Sequence, residues 1–119
     1  MDILAISGSL RAASTNTALL PAAAALAPVG MRVALFQRLG EFPLFNPDVE
    51  HPMPEPVQAF RDRLNAAAGV LIASPEYAHG VTGVMKNTLD WIVGCEAIVY
   101  KPVAVFNVSP RAAHADAAR

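Results

Sequence analysis

The sequence predicts an α/β domain in which a parallel sheet is covered by helices on both faces. Two observations carry this. Short apolar β-type runs alternate with helical segments along all 119 residues, the pattern of consecutive βαβ units. A polar loop containing one glycine, Gly8-Ser9-Leu10-Arg11-Ala12-Ala13-Ser14-Thr15-Asn16, follows directly on the apolar run Ile3-Leu4-Ala5-Ile6, as a turn from a buried strand into a helix would. The length allows one domain with a sizeable core. Apolar residues make up 54% of the chain but occur in short runs broken by Gly, Pro and charges, so no segment is long enough to cross a membrane.

Taken in order, residues 3–6 form the first strand. Residues 17–26 read as an alanine-rich helix, with Pro21 expected to kink or delay it because proline has no backbone N–H. Pro28 and Gly30 end it. Residues 32–36 alternate toward a second strand. Residues 39–56, with five prolines and Asn46, read as a long loop, either functional or a proline-rich surface excursion. Residues 57–67 carry apolar positions at helical spacing after prolines suited to a helix start. Arg61, Asp62 and Arg63 on that helix read as a solvated face. Residues 70–73 form a fully buried third strand. The helix after residues 75–83 places Lys86 and Asp90 one turn apart as a surface pair, with Leu89, Trp91 and Ile92 at its packing face. Residues 103–108, preceded by Pro102, form the fourth strand. Residues 111–119 have the composition of a helix just starting, so the sheet is expected to be truncated after its fourth strand. An apolar edge is then left for a partner chain to cover, or the chain is a shortened form of a longer domain.

Composition excludes several classes. The formal net charge is −1, with charges scattered along the chain, unlike the basic footprint of a nucleic-acid-binding protein. The single cysteine, Cys95, allows no internal disulfide, fits a reducing compartment and reads as a packing residue. The amino terminus carries Asp2 where a secretory signal has a basic region, which predicts a cytoplasmic protein. His51, His79 and His114 lack ligand spacing, so no metal site is expected.

The first loop has the chemistry of an anion site. Free N–H groups at a helix start and the positive end of its dipole favour an anion. Arg11 adds a planar fork suited to phosphate oxygens, and Ser9, Ser14, Thr15 and Asn16 offer neutral hydrogen bonds. Ser14 or Asn16 could equally serve as a helix cap. The loop lacks the Gly-Lys-Ser/Thr ending of a Walker sequence and has one glycine where the dinucleotide fingerprint has three. Side-chain hydroxyls around a phosphate are the manner of flavodoxin-like folds, which bind flavin mononucleotide (FMN) beyond the carboxyl end of the first strand. The fold class expected is therefore a flavodoxin-like, doubly wound parallel sheet in three α/β/α layers.

The third strand runs into Pro75-Glu76-Tyr77-Ala78-His79-Gly80-Val81-Thr82-Gly83, followed by Val84-Met85-Lys86-Asn87-Thr88-Leu89-Asp90-Trp91. A proline and two glycines shape a tight loop whose backbone can approach a planar ring. With these two motifs and the strand ending Asn107-Val108-Ser109-Pro110-Arg111, the chain resembles the NADPH-dependent FMN reductases, relatives of quinone, chromate and azo reductases. The resemblance implies that Ser9, Arg11, Ser14, Thr15 and Asn16 hold the FMN phosphate. It implies that Pro75, Glu76, Tyr77 and Ala78 lie along the isoalloxazine and pyrimidine edge, and that Ser109 and Arg111 approach from the other side. It further implies hydride transfer from NADPH or NADH through FMN to free flavin, a quinone, an azo compound or a metal oxyanion, in a homodimer or homotetramer. No catalytic side chain is required. Ala78-His79-Gly80 departs from the Asn-Gly common in the family, so the contacts of that pair are not carried over. The family's fourth helix, fifth strand and final helix have no counterpart here. The alternative is a non-catalytic flavin-binding module or an inactive truncated remnant. On the residues alone, Glu76 either contacts flavin or orients Tyr77 or a neighbouring loop, while Tyr77 and Trp91 read as packing or dimer contacts.

Overall fold

The computed structural model describes residues 1–9, 15–74, 76–77, 80–94, 98–99 and 101–106. The chain forms β1 (Asp2–Ser7), α1 (Thr15–Ala25), β2 (Arg32–Leu35), α2 (Glu55–Ala66), β3 (Gly69–Ala73), a short ribbon of β4 (Glu76–Tyr77) and β5 (Gly80–Val81), α3 (Gly83–Ile92) and β6 (Val103–Phe106). The main sheet has the order β2-β1-β3-β6, with every pair parallel. The expected flavodoxin-like arrangement is thus present in its first four strands.

Strand alternation builds the layers. Along β1, Leu4 and Ile6 face one side of the sheet, where they pack with Val70 of β3, Val57, Phe60 and Leu64 of α2, and Met85, Trp91 and Ile92 of α3. The alternate residues, Ala5 with Leu71 and Ala73, face the other side and pack with Leu20 of α1. A period of two residues in two neighbouring strands therefore places α1 on one face and α2 and α3 on the other.

Several expectations are corrected in detail. Pro21 does not delay the first helix, which begins at Thr15 and carries Pro21 inside it. Pro21 lies on the exposed face while Leu20 is buried, so water can serve the carbonyl that the missing N–H leaves open. The long loop after β2 is more than a surface excursion. It contains two short 3-10 turns, Leu39–Glu41 and Pro47–Val49, and it buries Leu39 and Phe42. Phe36, Phe42 and Phe60 form a tilted trio with ring centroids 5.1 to 6.2 Å apart.

Arg61 does not belong to a solvated face. It is half-buried, and its guanidinium donates to the Trp91 carbonyl near the end of α3, where a cation offsets the negative end of the dipole. Arg63 does remain exposed and lies 5.9 Å above the Phe36 ring centre. Lys101 caps α2 in the same manner, its ammonium donating to the Leu64 carbonyl at 2.5 Å and the Ala67 carbonyl at 2.6 Å. Leu89 is 43% exposed and lies at the margin of the packing face, whereas Trp91 and Ile92 are buried with Met85 and Thr88. The Lys86–Asp90 surface pair forms as expected, at 2.6 Å. Another surface cluster joins Arg38 to Glu41 and Glu55; hydrogen bonds from Arg38 hold the Glu55 carboxyl below its ordinary value.

Among the described residues, β6 is the outer strand of the sheet. Among the described residues, Val103 and Phe106 on it are exposed large apolar side chains. Cys95 and residues 107–119, including the predicted end of the fourth strand, lie outside the described residues.

Candidate functional site

In an open parallel sheet, ligands bind beyond the carboxyl ends of the strands, where the chain order reverses direction across the sheet. Here that reversal falls at β1, which has β2 on one side and β3 on the other. The carboxyl ends of β1 and β3 are followed by the two loops that the sequence singles out, at residues 8–14 and 74–82. Helix α1 starts immediately after the first loop and α3 immediately after the second, so both loops lie next to helix N-termini whose N–H groups favour negative charge.

The backbone ladder continues past the last strand residues and anchors both loops. The Gly8 N–H donates to the Ala73 carbonyl at 2.8 Å, and the Ser74 N–H donates to the Phe106 carbonyl at 3.1 Å. Next comes a local turn: the Ser9 N–H donates to Ser7 Oγ at 3.2 Å, and the Ser7 hydroxyl donates to the Ser9 carbonyl at 3.3 Å. Ser9, Ser74 and Thr82 are all buried, an unusual density of hydroxyls at the end of an otherwise apolar core. Thr82 caps α3, its Oγ1 accepting from the Met85 N–H at 3.1 Å. A cap of this kind is worth about 1 kcal/mol and fixes the entry angle of the helix.

Within the second loop, Glu76 pairs with Val81 and Tyr77 with Gly80 in an antiparallel two-stranded ribbon separate from the main sheet. The strap from β2 braces α3 behind it. Asn87 Oδ1 accepts from the Phe45 N–H at 2.8 Å, Asn87 Nδ2 donates to the Pro43 carbonyl at 3.0 Å, and Trp91 Nε1 donates to that same carbonyl at 2.8 Å. The Phe45 ring meets Trp91 edge-on, with centroids 5.0 Å apart. Trp91 is therefore a packing residue, as its sequence context suggested.

Of the predicted site residues, Ser9 sits at the carboxyl end of β1. Thr15 and Asn16 lie in the first turn of α1, and Glu76 and Tyr77 in β4. Arg11, Ser14, Pro75, Ala78, Ser109 and Arg111 lie outside the described residues. Gly8, Ser7, Ser74 and Thr82 are additions that sequence reasoning did not assign to the site. Thr82 had a readable signal, a threonine three residues before Met85 at the start of a helical pattern; the closeness of Gly8 to Ser74 had none.

The described residues at the switch point, a glycine packed by hydroxyl side chains, two helix starts and the β4–β5 ribbon, have a chemistry compatible with a flavin mononucleotide, an anion site beside a backbone edge. Among the described residues no three His, Cys, Asp or Glu side chains come together as metal ligands, and no helix is long and apolar enough to cross a membrane.

A protein-family model described as NADPH-dependent FMN reductase matches residues 1–119. The chain is 44% identical over 92 residues to an NAD(P)H-dependent FMN reductase of Pseudomonas aeruginosa, covering 76% of this chain and 49% of that protein. It is 40% identical over 91 residues to a 2-hydroxy-1,4-benzoquinone reductase of a Burkholderia species, with the same two coverages of 76% and 49%. Its fold matches a flavoenzyme NAD(P)H:(acceptor) oxidoreductase from Paracoccus denitrificans with a TM-score of 0.84 at 32% identity, over 93% of this chain and 62% of that one. The chain thus spans about half the length of the curated relatives it matches.

Proposed function

Because the chain belongs to the NADPH-dependent FMN reductase family, we propose that it is a cytoplasmic oxidoreductase that binds FMN at the switch point and passes hydride from NAD(P)H to an acceptor. The observation that carries this reading is the closeness of the ends of the two loops, where a Cβ added at Gly8 would fall 2.1 Å from Ser74 Oγ and 3.2 Å from Thr82 Oγ1. Similarity to FMN and quinone reductases supports free flavin or a quinone as acceptor, with azo compounds and metal oxyanions as further candidates.

In this reading Ser9, Arg11, Ser14, Thr15 and Asn16 bind the phosphate, with the start of α1 contributing backbone N–H groups. Pro75, Glu76, Tyr77 and Ala78 lie along the ring and its pyrimidine edge, and Ser109 and Arg111 close the other side. FMN, when bound, supplies the two-electron hydride chemistry. The protein's part is to orient the ring, exclude water from one face and present backbone donors where negative charge develops. No side-chain acid or base is assigned.

The test is an absorption spectrum of the 119-residue chain after FMN addition and desalting, followed by NADPH under argon. Retained flavin bands that bleach are expected. Bands that persist unbleached would identify a non-catalytic flavin module, and a colourless protein would overturn the FMN assignment.

The same reading includes a homodimer or homotetramer. Among the described residues, Val103 and Phe106 of β6 are exposed large apolar side chains, a surface that association would cover. Light scattering is expected to give at least twice the 12.5 kDa chain mass; a stable monomer would defeat it.

A further inference from the structure

Helix α3 turns Met85, Thr88, Trp91 and Ile92 into the core and leaves Lys86, Asp90 and Val93 as one stripe on its outer side, spaced as neighbours on a helix surface are. Val93 directly follows the helix with helical backbone angles and is 83% exposed. Leu89 borders the stripe on one flank. On the other flank, Leu44 of the strap after β2 is 82% exposed although its backbone is pinned on both sides. The Pro43 carbonyl before it accepts from Asn87 and Trp91, and the Phe45 N–H after it donates to Asn87. An apolar side chain held out to water by a fixed backbone loses little freedom when a partner covers it. Leu44, Leu89 and Val93 around one ion pair make a patch, unlike the singly scattered apolar residues of an ordinary surface.

We propose that this face, Leu44 with Lys86, Leu89, Asp90 and Val93, docks a second copy of the chain, the two α3 helices crossing antiparallel about a two-fold axis. The charges select both the partner and its direction. Lys86 and Asp90 lie one turn apart, about 6 Å along the helix, and pair within the chain at 2.6 Å. A second copy turned end for end sets its own Asp90 against Lys86 and its own Lys86 against Asp90, so each charge gains a second opposite neighbour. A parallel copy in register would set like against like. Two-fold symmetry demands this reciprocity, and the face meets it in one orientation only. Exposed ion pairs add little affinity; they fix orientation, while burial of the three apolar side chains drives association. The inference rests on the homodimer in the reading above, not on the flavin assignment, and its contact is separate from the β6 surface.

The test is sedimentation equilibrium of the 119-residue chain and its variants, with circular dichroism of each. Leu44, Lys86 and Val93 are exposed, so the parental spectrum is expected throughout. Leu44→Glu and Val93→Glu, on two different elements, are each expected to raise the dimer dissociation constant at least about tenfold, whereas Val103→Glu on β6 leaves it little changed. Lys86→Asp is expected to weaken association, and adding Asp90→Lys to restore it, because the exchanged charges again meet their opposites across the axis. Parent and exchanged chains should not pair with each other, since lysine would then face lysine and aspartate face aspartate; energy transfer between fluorophore-labelled chains reads this self-sorting, which a merely structural role of the ion pair would not produce. Free mixing of the two chains, or a dimer unmoved by Leu44→Glu and Val93→Glu, would overturn the α3 contact and leave the homodimer standing. A dimer lost in Val103→Glu but kept in Leu44→Glu would move the contact to β6. A parent chain that stays monomeric would sink the homodimer and the contact together.

Discussion

Trp91→Ala is expected to lower stability by about 3–5 kcal/mol, a large share of the roughly 5–15 kcal/mol that holds a domain of this size folded. Trp91 is fully buried among the residues joining α3 to the sheet and α2. Its loss leaves a cavity lined by groups that cannot collapse into it, removes the edge contact with Phe45 and frees the Pro43 carbonyl from one of its two donors. Trp91→Phe separates these effects. It keeps most of the ring volume and leaves Asn87 bonded to Pro43, so a cost nearer 1–2 kcal/mol is expected, roughly one hydrogen bond plus imperfect packing. Urea unfolding followed by far-ultraviolet circular dichroism measures both, since the chain has a single tryptophan and fluorescence would lose its probe. An unchanged midpoint in Trp91→Ala would mean that α3 is not held by this residue.

Arg11→Ala carries the second large effect, on ligand binding and not on folding. In the proposed site a guanidinium forks onto phosphate oxygens, and its removal should weaken FMN by about 10- to 100-fold. Riboflavin, lacking the phosphate, should bind Arg11→Ala as it binds the parent chain. Arg11→Lys should fall between, because a lysine retains the charge but not the planar fork. Raising the salt concentration should narrow the difference between the parent and the alanine variant. Equal weakening of FMN and riboflavin would remove Arg11 from the phosphate site.

The legible parts of the fold were those with strong local patterns. Ile3-Leu4-Ala5-Ile6 is a short apolar run in β1, and Val57, Phe60 and Leu64 recur at helical spacing in α2; both elements form, α2 starting two residues early at Glu55. Local reading failed where distant partners decided the outcome. Arg61 looked like part of a charged surface run, yet the end of α3, 30 residues away, takes its guanidinium. The long loop after β2 read as either functional or a surface excursion because its prolines break every period, but Leu39 and Phe42 found places in the core beside Phe60. Pro21 was expected to kink or delay the first helix, yet that helix starts at Thr15 and runs through it, with Leu20 packed in the core.

The site divides along the same line. The phosphate-type loop, the Pro-Glu-Tyr segment and the family they indicate could be read from residue order, because hydroxyls, an arginine and glycines after apolar strands have a limited set of uses. By itself, then, the sequence determined the class of fold and the family, and it singled out the segments proposed to bear the chemistry. Tertiary structure alone decided that the strand order reverses at β1 and that Ser74 and Thr82 fill the space a side chain at Gly8 would need. The physical reason is that strand pairing and close packing are contacts between residues far apart in the chain, and local periodicity carries no record of which distant atoms will meet.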